Sequence, residues 1–334
     1  MVKKLFIALL LLAPLPLFAQ DFPQQFPQSR EFIQEMSDKH GFSTQTLADL
    51  FARVEHKQAI IDAISRPAES KPWYQYRPIF VTAERIRQGV EFWQENEPLL
   101  ERAHKEYGVP PHIIVAIIGV ETRYGRHSGS YRVMDALSTL AFNYPKRGSF
   151  FRGQLEAFLL MTREEQRDPL EFLGSYAGAM GMPQFIPSSF RAYAVDFDND
   201  GRRDLWQNTS DVIGSVANYF AEHKWRSGEP VASRATLSGE SPQAALDKGY
   251  RPSLTLAELK RLGVQPVANY NDNDEVALIA LDSTPEQQQY WVTRHNFYVI
   301  TRYNHSPLYA MAVHQLAEAI RTTRATTPRK DGNS

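Results

Sequence analysis

Apolar residues recur every three to four positions through most of the chain. Val90 and Trp93 belong to such a pattern within residues 31–106, and similar patterns cover residues 110–225 and 306–324. A spacing of three to four residues places apolar side chains on one face of a helix. We therefore predict a protein that is mainly α-helical.

Two stretches depart from this pattern. Residues 65–80 contain three prolines, and because each proline biases its predecessor away from helix, we expect an extended segment there. Between residues 226 and 300, short β-prone runs at 275–281, 290–293 and 297–300 alternate with turn-forming clusters. The predicted fold class is thus mainly α (α+β), a helical protein that carries a small β-rich insertion.

Composition excludes some function classes. The 334 residues carry 37 basic and 38 acidic side chains, a formal net charge of −1. So balanced a charge indicates neither nucleic acid nor an acidic membrane surface as a partner.

The start of the chain has the pattern of an export signal. Lys3 and Lys4 precede an apolar run over residues 5–18, which is short for a membrane span, and Ala19 offers a small residue for cleavage. An uncleaved membrane anchor is the alternative. The chain contains no cysteine, so it has neither disulfides nor a thiol for lipid attachment. We expect a soluble periplasmic protein.

A single carboxylate ends the most apolar segment of the chain. Pro110 and Pro111 suit the first turn of a helix, residues 113–120 are apolar or glycine, and Glu121 follows before a stop at Gly125. Burial and the negative end of the helix dipole both disfavour a charged carboxylate and raise its pKa. A general acid needs such a pKa near neutral pH. The alternative is a surface ion pair of Glu121 with Arg123 or Arg126.

A second candidate segment is the glycine-rich stretch GSYAGAMGMPQFIPSSF at residues 174–190. Its glycines permit close approach of the backbone, and the Gln184 amide both donates and accepts hydrogen bonds, as recognition of sugar hydroxyls requires. Tight packing of helices through small residues is the alternative explanation.

Four motifs in this order resemble the membrane-bound lytic murein transglycosylase B family: GVETRYG at 119–125, AFNYPKRG at 141–148, the glycine-rich stretch at 174–190, and YNHSPLYAMAV at 303–313. The resemblance covers nearly the whole chain after the export signal. Family members usually carry a lipid-anchored cysteine. Because this chain contains no cysteine, it resembles the soluble members of the family.

The resemblance implies a lysozyme-like helical core. It also implies the following division: signal peptide 1–19, N-terminal helical domain 20–106, catalytic core 107–225 with an EF-hand-like loop at 196–211, small β-rich domain 226–297, C-terminal part of the core 298–325, and tail 326–334.

The implied reaction is cleavage of the β-1,4 bond between N-acetylmuramic acid and N-acetylglucosamine in peptidoglycan. The C6 hydroxyl of the muramic acid attacks its own C1 and forms a 1,6-anhydro ring. Glu121 matches the family's catalytic glutamate, which acts first as acid and then as base. Other glycosidases use a pair of carboxylates, and no second acid lies near Glu121 in the chain.

The resemblance also assigns roles to other residues. Ser175 matches the serine that orients the glutamate or the substrate's acetamido group. Lys146 and Arg147 match two basic residues that meet lactyl or peptide carboxylates. The remaining matches line the sugar groove: Gln184, Tyr219, Tyr303, Asn304, Tyr309 and, from the helical domain, Tyr76. For each tyrosine, a place in the core is the alternative.

The acidic stretch DFDNDGRRDLWQNTSD at residues 196–211 has the spacing of a calcium loop. Asp196, Asp198 and Asp200 occupy positions 1, 3 and 5, glycine follows at position 6, and Arg202 offers its backbone carbonyl at position 7. Position 12 is glutamine, so an elongated loop closed by Asp211 is needed, with Asp204 as an alternative ligand. We expect structural Ca²⁺; an acidic turn without metal is the alternative.

Two other functions fit the same motifs. One is a hydrolase like goose lysozyme, with water as acceptor, and the other is a non-catalytic scaffold that binds peptidoglycan. The expected partners are glycan strands and proteins of cell-wall synthesis or division, and the expected oligomeric state is a monomer.

Overall fold

The computed structural model describes residues 26–65, 71–239 and 242–326. The predicted export signal and almost all of the predicted tail lie outside these ranges. Within them the chain divides into two compact units at the bond between His56 and Lys57. This division falls inside the predicted N-terminal helical domain, and the domain boundaries given above stay predictions.

In the described part of the first unit, residues 26–56, there are two helices, α1 (Ser29–His40) and α2 (Thr44–Ala52). Gly41 ends α1 in a left-handed conformation, and the Ser43 side chain caps α2 by accepting from the backbone N–H of Thr46. Phe32 and Phe51 meet edge to face at 6.0 Å between ring centroids. Burial of these aromatic faces holds the two helices together.

Thirteen further helices are described in the second unit. They are α3 (Gln58–Ser65), α4 (Trp73–Phe80), α5 (Ala83–Glu95), α6 (Glu97–Tyr107), α7 (Pro111–Thr122), α8 (Val133–Asn143), α9 (Gly148–Glu164), α10 (Pro187–Tyr193), α11 (Thr209–Glu222), α12 (Gln243–Leu246), α13 (Leu256–Arg261), α14 (His295–Tyr303) and α15 (Pro307–Thr326). Helix α7 lies among α5, α6, α11 and α15. This arrangement explains why α7 is apolar on all sides.

The β-rich insertion contains the strands β3 (Ala232–Leu237), β4 (Leu254–Thr255), β5 (Val264–Pro266), β6 (Glu275–Asp282) and β7 (Gln288–Thr293). They form one antiparallel sheet with strand order β4-β6-β7-β3-β5. Strands β6 and β7 pair from Ala277 with Thr293 to Asp282 with Gln288. A separate two-residue pair, β1 (Tyr131–Arg132) with β2 (Leu173–Gly174), lies next to the glycine-rich stretch.

The fold class is confirmed: the described residues are mainly helical with one small sheet. The β-prone runs at 275–281 and 290–293 are strands, and residues 307–326 form a helix. No described helix is both long and apolar enough to cross a membrane.

Two local predictions are wrong. Of the predicted extended segment 65–80, residues 66–70 lie outside the described ranges, and Ser65 is the last residue of α3. Residues 73–80 form α4, because Pro72 precedes the first helical residue and Pro78 is tolerated within the helix. Residues 297–300 are not a strand but part of α14, in which Phe297, Val299 and Ile300 are all buried. Packing against other helices overrides the β preference of these residues.

Candidate active site

Glu121 lies in the last turn of α7, whose preceding residues from Pro111 to Val120 are buried except His112. As predicted, Pro110 precedes the helix and Pro111 begins it. Burial raises the pKa of the Glu121 carboxyl from 4.5 to about 7, since desolvation disfavours the charged form. The carboxyl therefore holds its proton at a pH where an exposed glutamate has lost it.

A tyrosine hydroxyl is the hydrogen-bond partner of this carboxyl. Tyr309, on α15, donates from its Oη to Oε1 of Glu121 at 2.5 Å. The bond stabilises the carboxylate and so opposes part of the rise in the pKa of Glu121. Burial and the neighbouring carboxylate together raise the pKa of Tyr309 well above 10, so this hydroxyl remains a donor.

The backbone after Glu121 turns sharply. Arg123, Tyr124 and Gly125 have φ angles of 52°, 60° and 84°, a left-handed conformation that side chains disfavour. Tyr124 folds back over α7, where its hydroxyl donates to the carbonyl of Arg85 at 2.8 Å. A Cβ at residue 119 would lie 2.6 Å from that hydroxyl oxygen, so only glycine fits there.

Arg123 and Arg126, which follow Glu121 in the chain, interact with groups other than its carboxyl. Arg123 donates to the side-chain oxygen of Gln88 at 2.9 Å and forms an ion pair with Glu84. Arg126 donates to the backbone carbonyl of Arg123. The alternative of a surface ion pair at Glu121 is therefore not what the structure shows.

The glycine-rich stretch forms a tight loop, with Ser175 near its start and Gln184 near its end. The hydroxyl oxygen of Ser175 accepts from the backbone N–H groups of Ala177 and Ala179 at 3.2 and 3.1 Å. The amide of Gln184 donates to the carbonyls of Ser128 and Gly181 at 3.1 and 2.9 Å. Both side chains thus stabilise the loop itself.

Tyr219, Tyr303 and Tyr309 form a continuous aromatic column. The ring centroids of Tyr219 and Tyr303 are 4.7 Å apart, and those of Tyr303 and Tyr309 are 6.5 Å apart and nearly parallel. Tyr219 donates to the carbonyl of Arg302, and Tyr303 donates to the carbonyl of Pro183, both at 2.6 Å. The three rings therefore form one cluster in which Tyr219 and Tyr309 are buried, as the core alternative predicts, and the hydroxyl protons of Tyr219 and Tyr303 are committed to backbone carbonyls.

Of the other sequence-predicted residues, only Tyr76 interacts with a member of this cluster among the contacts described. Asn304 is exposed directly after α14. Tyr76, on α4, stacks with Trp73 at 6.4 Å and acts electrostatically on Tyr309. Lys146 and Arg147 are exposed in the turn between α8 and α9, where the guanidinium of Arg147 lies 4.5 Å from the ring centroid of Phe150.

The acidic loop brings together three of its predicted ligands. Oxygens of Asp196, Asp198 and Asp211 all lie within 4.8 Å of one another. Asp200 is not in this cluster: its Oδ1 accepts from the N–H of Arg202 at 2.9 Å. The alternative ligand Asp204 instead caps a turn by accepting from the N–H groups of residues 206 and 207.

The residues of the acidic loop fit a hard cation. Asp211 is fully buried, and its two oxygens accept from the backbone N–H groups of Phe197 and Asp204 at 2.8 Å each. Burial, with a contribution from Asp198 and Asp196, raises its pKa to about 6. Carboxylates this close together repel one another, and a bound cation removes the repulsion. Ca²⁺ suits the loop because it prefers carboxylate and other oxygen ligands.

Sequence reasoning missed one residue of the site. Thr122 follows Glu121 directly, and its side chain joins the end of α7 to the glycine-rich loop by donating to the carbonyl of Met182 at 2.8 Å. The only signal was its place inside the motif GVETRYG, because the partner lies 60 residues further along the chain.

Comparison with known proteins agrees with this geometry. Residues 25–318 match the family described as Transglycosylase SLT domain. Membrane-bound lytic murein transglycosylase B of Escherichia coli K12 is 44% identical in an alignment of 308 positions that covers 89% of this chain and 84% of that protein.

Two solved structures are similar throughout the fold. The soluble lytic transglycosylase SltB1 of Pseudomonas aeruginosa is 54% identical with a TM-score of 0.85, and the match covers 90% of this chain and all of that one. The E. coli lytic transglycosylase SLT35, solved in complex with calcium, is 43% identical with a TM-score of 0.82 over 90% of this chain and 94% of that one. The chain therefore belongs to the Transglycosylase SLT domain family and is a lytic transglycosylase.

Proposed function

We propose that the protein cleaves the MurNAc-β-1,4-GlcNAc bond of peptidoglycan and leaves 1,6-anhydromuramic acid ends, with Glu121 as the single acid and base. The observation that carries this proposal is a buried carboxyl whose pKa is raised to about 7 and whose partner is a tyrosine. A group that is half protonated near neutral pH is suited to give a proton and then take one back.

In the first step Glu121 gives its proton to the glycosidic oxygen, and the bond from that oxygen to C1 of the muramic acid breaks. The positive charge at C1 is stabilised by the substrate's own N-acetyl group. In the second step the C6 hydroxyl oxygen bonds to C1, and its proton passes to the Glu121 carboxylate. Glu121 ends in its starting state, and no water is consumed.

The surroundings of Glu121 support a single carboxylate. Among the described residues, the influences on its pKa are burial and the hydrogen bond from Tyr309; no other carboxylate is among them. Enzymes that use two carboxylates hold them about 5 to 9.5 Å apart, a separation at which a second buried charge would shift the pKa of the first. The two alternatives predict different products: a non-catalytic scaffold would release no muropeptides, and a hydrolase of the goose-lysozyme type would release products that carry one added water.

We further propose that the glycan binds beside Glu121. We assign seven residues to glycan binding: Tyr76, Tyr219, Tyr303, Asn304, Tyr309, Ser175 and Gln184. Aromatic faces next to amide and hydroxyl atoms suit sugar rings with their hydroxyls. A P. aeruginosa relative, SltB3, has been solved with NAG-NAM-pentapeptide and with NAG-anhNAM-pentapeptide. Lys146 and Arg147, exposed and cationic, are assigned to substrate carboxylates.

The acidic loop is proposed to hold a structural Ca²⁺ through Asp196, Asp198 and Asp211. The backbone carbonyl of Arg202 and the side chain of Asp200, after Asp200 turns toward the cation, complete the set of ligands. Bound calcium neutralises the clustered carboxylates and takes no part in the glycosidic chemistry. Excess Ca²⁺ should raise the melting temperature relative to chelator, and Asp211→Asn should abolish the gain. An equal melting temperature in both conditions would contradict the calcium proposal.

We also propose that the protein is exported to the periplasm, where peptidoglycan lies.

The experiment compares three mature proteins on purified sacculi: wild type, Glu121→Gln, and Glu286→Gln as a control. Glu286 is an exposed acid in the β6–β7 hairpin, so its substitution should leave the release of soluble muropeptides unchanged. Glu121→Gln should release none above background. Full release by Glu121→Gln would disprove the assignment, and no release by wild type would favour the scaffold.

A further inference from the structure

Thr122 has a buried hydroxyl that joins two segments of the site. The residue is 1% exposed. Its Oγ1 accepts from the backbone N–H of Gly125 at 3.0 Å and lies 2.8 Å from the carbonyl oxygen of Met182, against 3.4 Å from that of Ile118. Because a hydroxyl carries one proton, the shorter distance identifies Met182 as the acceptor.

The Met182 backbone is fixed from both sides. Its carbonyl accepts from Thr122, while its N–H donates to the carbonyl of Leu205 at 2.8 Å. A Cβ at the neighbouring Gly181 would overlap that same carbonyl oxygen, so the backbone at Gly181 is in direct contact with the backbone at Leu205. The glycine-rich loop is therefore a rigid support at the point where Thr122 meets it.

The other side of Thr122 is the turn that ends α7. Arg123 and Tyr124 are held in the left-handed conformation that side chains disfavour. The bond from the Gly125 N–H to the Thr122 hydroxyl closes this turn. One side chain thus closes the turn after Glu121 and anchors it to the loop.

We propose that Thr122 is a positioning residue for the reaction, fixing the end of α7 against the glycine-rich loop so that the Glu121 carboxyl stays at the Tyr309 hydroxyl. The inference rests on the proposed role of Glu121. Thr122 touches no substrate in this account and acts only through its neighbour.

Substitution by valine tests this role, since valine keeps the shape of threonine and lacks the hydroxyl. The Gly125 N–H and the Met182 carbonyl then lose a buried partner, and the end of α7 separates from the loop. Water then reaches Glu121 and lowers its pKa toward the usual range. Loss of the bond from Tyr309 acts in the opposite direction, but burial is the larger of the two influences on this carboxyl. Within the described part of the chain, the titratable groups that interact with Glu121 from neighbouring helices are Tyr309 on α15 and Tyr303 on α14, and the substitution changes neither side chain.

The experiment measures kcat, KM and the pH profile on a soluble glycan oligomer for wild type, Thr122→Val, Thr122→Ser and Glu121→Gln. Thr122→Val should lower kcat by roughly 10- to 100-fold with little change in KM. The alkaline limb of its pH profile should move to lower pH. Thr122→Ser, which keeps both hydrogen bonds, should restore kcat and the profile.

Three results would overturn the inference: wild-type kcat and profile in Thr122→Val, a loss that Thr122→Ser does not restore, or a change in KM alone. If Thr122→Val does not fold, as judged by circular dichroism, Thr122→Ala is compared with Thr122→Ser in the same assay. Activity in Glu121→Gln would instead refute the proposed function, so the two failures are distinguishable.

Discussion

Removal of the Tyr309 hydroxyl should move the pH dependence of the enzyme in a defined direction. In Tyr309→Phe, Glu121 loses a hydrogen bond of 2.5 Å that stabilises its charged form. A hydrogen bond to a charged group contributes about 1.5 to 3 kcal/mol, and 1.36 kcal/mol corresponds to one pH unit. The pKa of Glu121, already about 7, should therefore rise by about 1 to 2 pH units.

The assay is the rate of muropeptide release between pH 4 and pH 10. A general acid is active while protonated, so the rate falls as pH rises through its pKa, and this alkaline limb should move up in Tyr309→Phe. The position of the limb is the readout, because a lower maximal rate also follows from weaker substrate binding.

Tyr124→Phe is the matched control. It too removes a buried tyrosine hydroxyl beside α7, but one that donates to the uncharged carbonyl of Arg85. Its alkaline limb should stay in place. A limb that is unmoved or moves down in Tyr309→Phe, or that moves equally in both variants, would refute the reasoning.

Two predictions concern stability. Because folding raises the pKa of Glu121 from 4.5 to about 7, its effect on stability is neutral below pH 4.5, becomes unfavourable as pH rises from 4.5 to about 7, and stays constant above that. Glu121→Gln should thus be more stable than wild type at pH 8 by up to about 3 kcal/mol, and equal at pH 4, in urea titrations. Gly119→Ala should lose about 1 to 3 kcal/mol because Tyr124 occupies the space of the new methyl group. The control Gly153→Ala, in α9 with no atom near its Cβ, should gain up to about 1 kcal/mol; equal effects of the two alanines in thermal melts would contradict the packing argument.

The position of Glu121 was predictable because its signal is local. Two prolines, an all-apolar helix and a following glycine are contiguous in sequence, and each has one structural meaning. The acidic loop was predictable from the sequence in the same way, since the side-chain oxygens of Asp196, Asp198 and Asp211 lie close together as their spacing indicates. The place of Asp200 was not predictable from spacing, because it depends on which backbone N–H its side chain accepts.

The misassigned helices carried a signal that was overlooked. Trp73, Tyr76 and Phe80 are spaced by three and four residues, and in α4 their rings lie on one face with centroids 5.2 to 6.4 Å apart between neighbours. Phe297 and Ile300 have the same spacing of three. In both segments helical periodicity, and not proline content or β preference, decided the outcome.

Long-range contacts were beyond sequence reasoning. The bond between Tyr309 and Glu121 joins residues 188 positions apart, and that between Thr122 and Met182 joins residues 60 apart. Neither residue pair shares a periodic pattern. Such contacts depend on how α7, α15 and the glycine-rich loop pack, which local propensity does not specify.

The most direct test of the account is the fate of water during cleavage. Sacculi are digested in water enriched in ¹⁸O, and the soluble muropeptides are weighed by mass spectrometry. Intramolecular attack by the C6 hydroxyl predicts products that are one water lighter than hydrolysis products and carry no ¹⁸O at the new end. Products that contain the added water with its label would show a hydrolase and would contradict the single-carboxylate mechanism of Glu121.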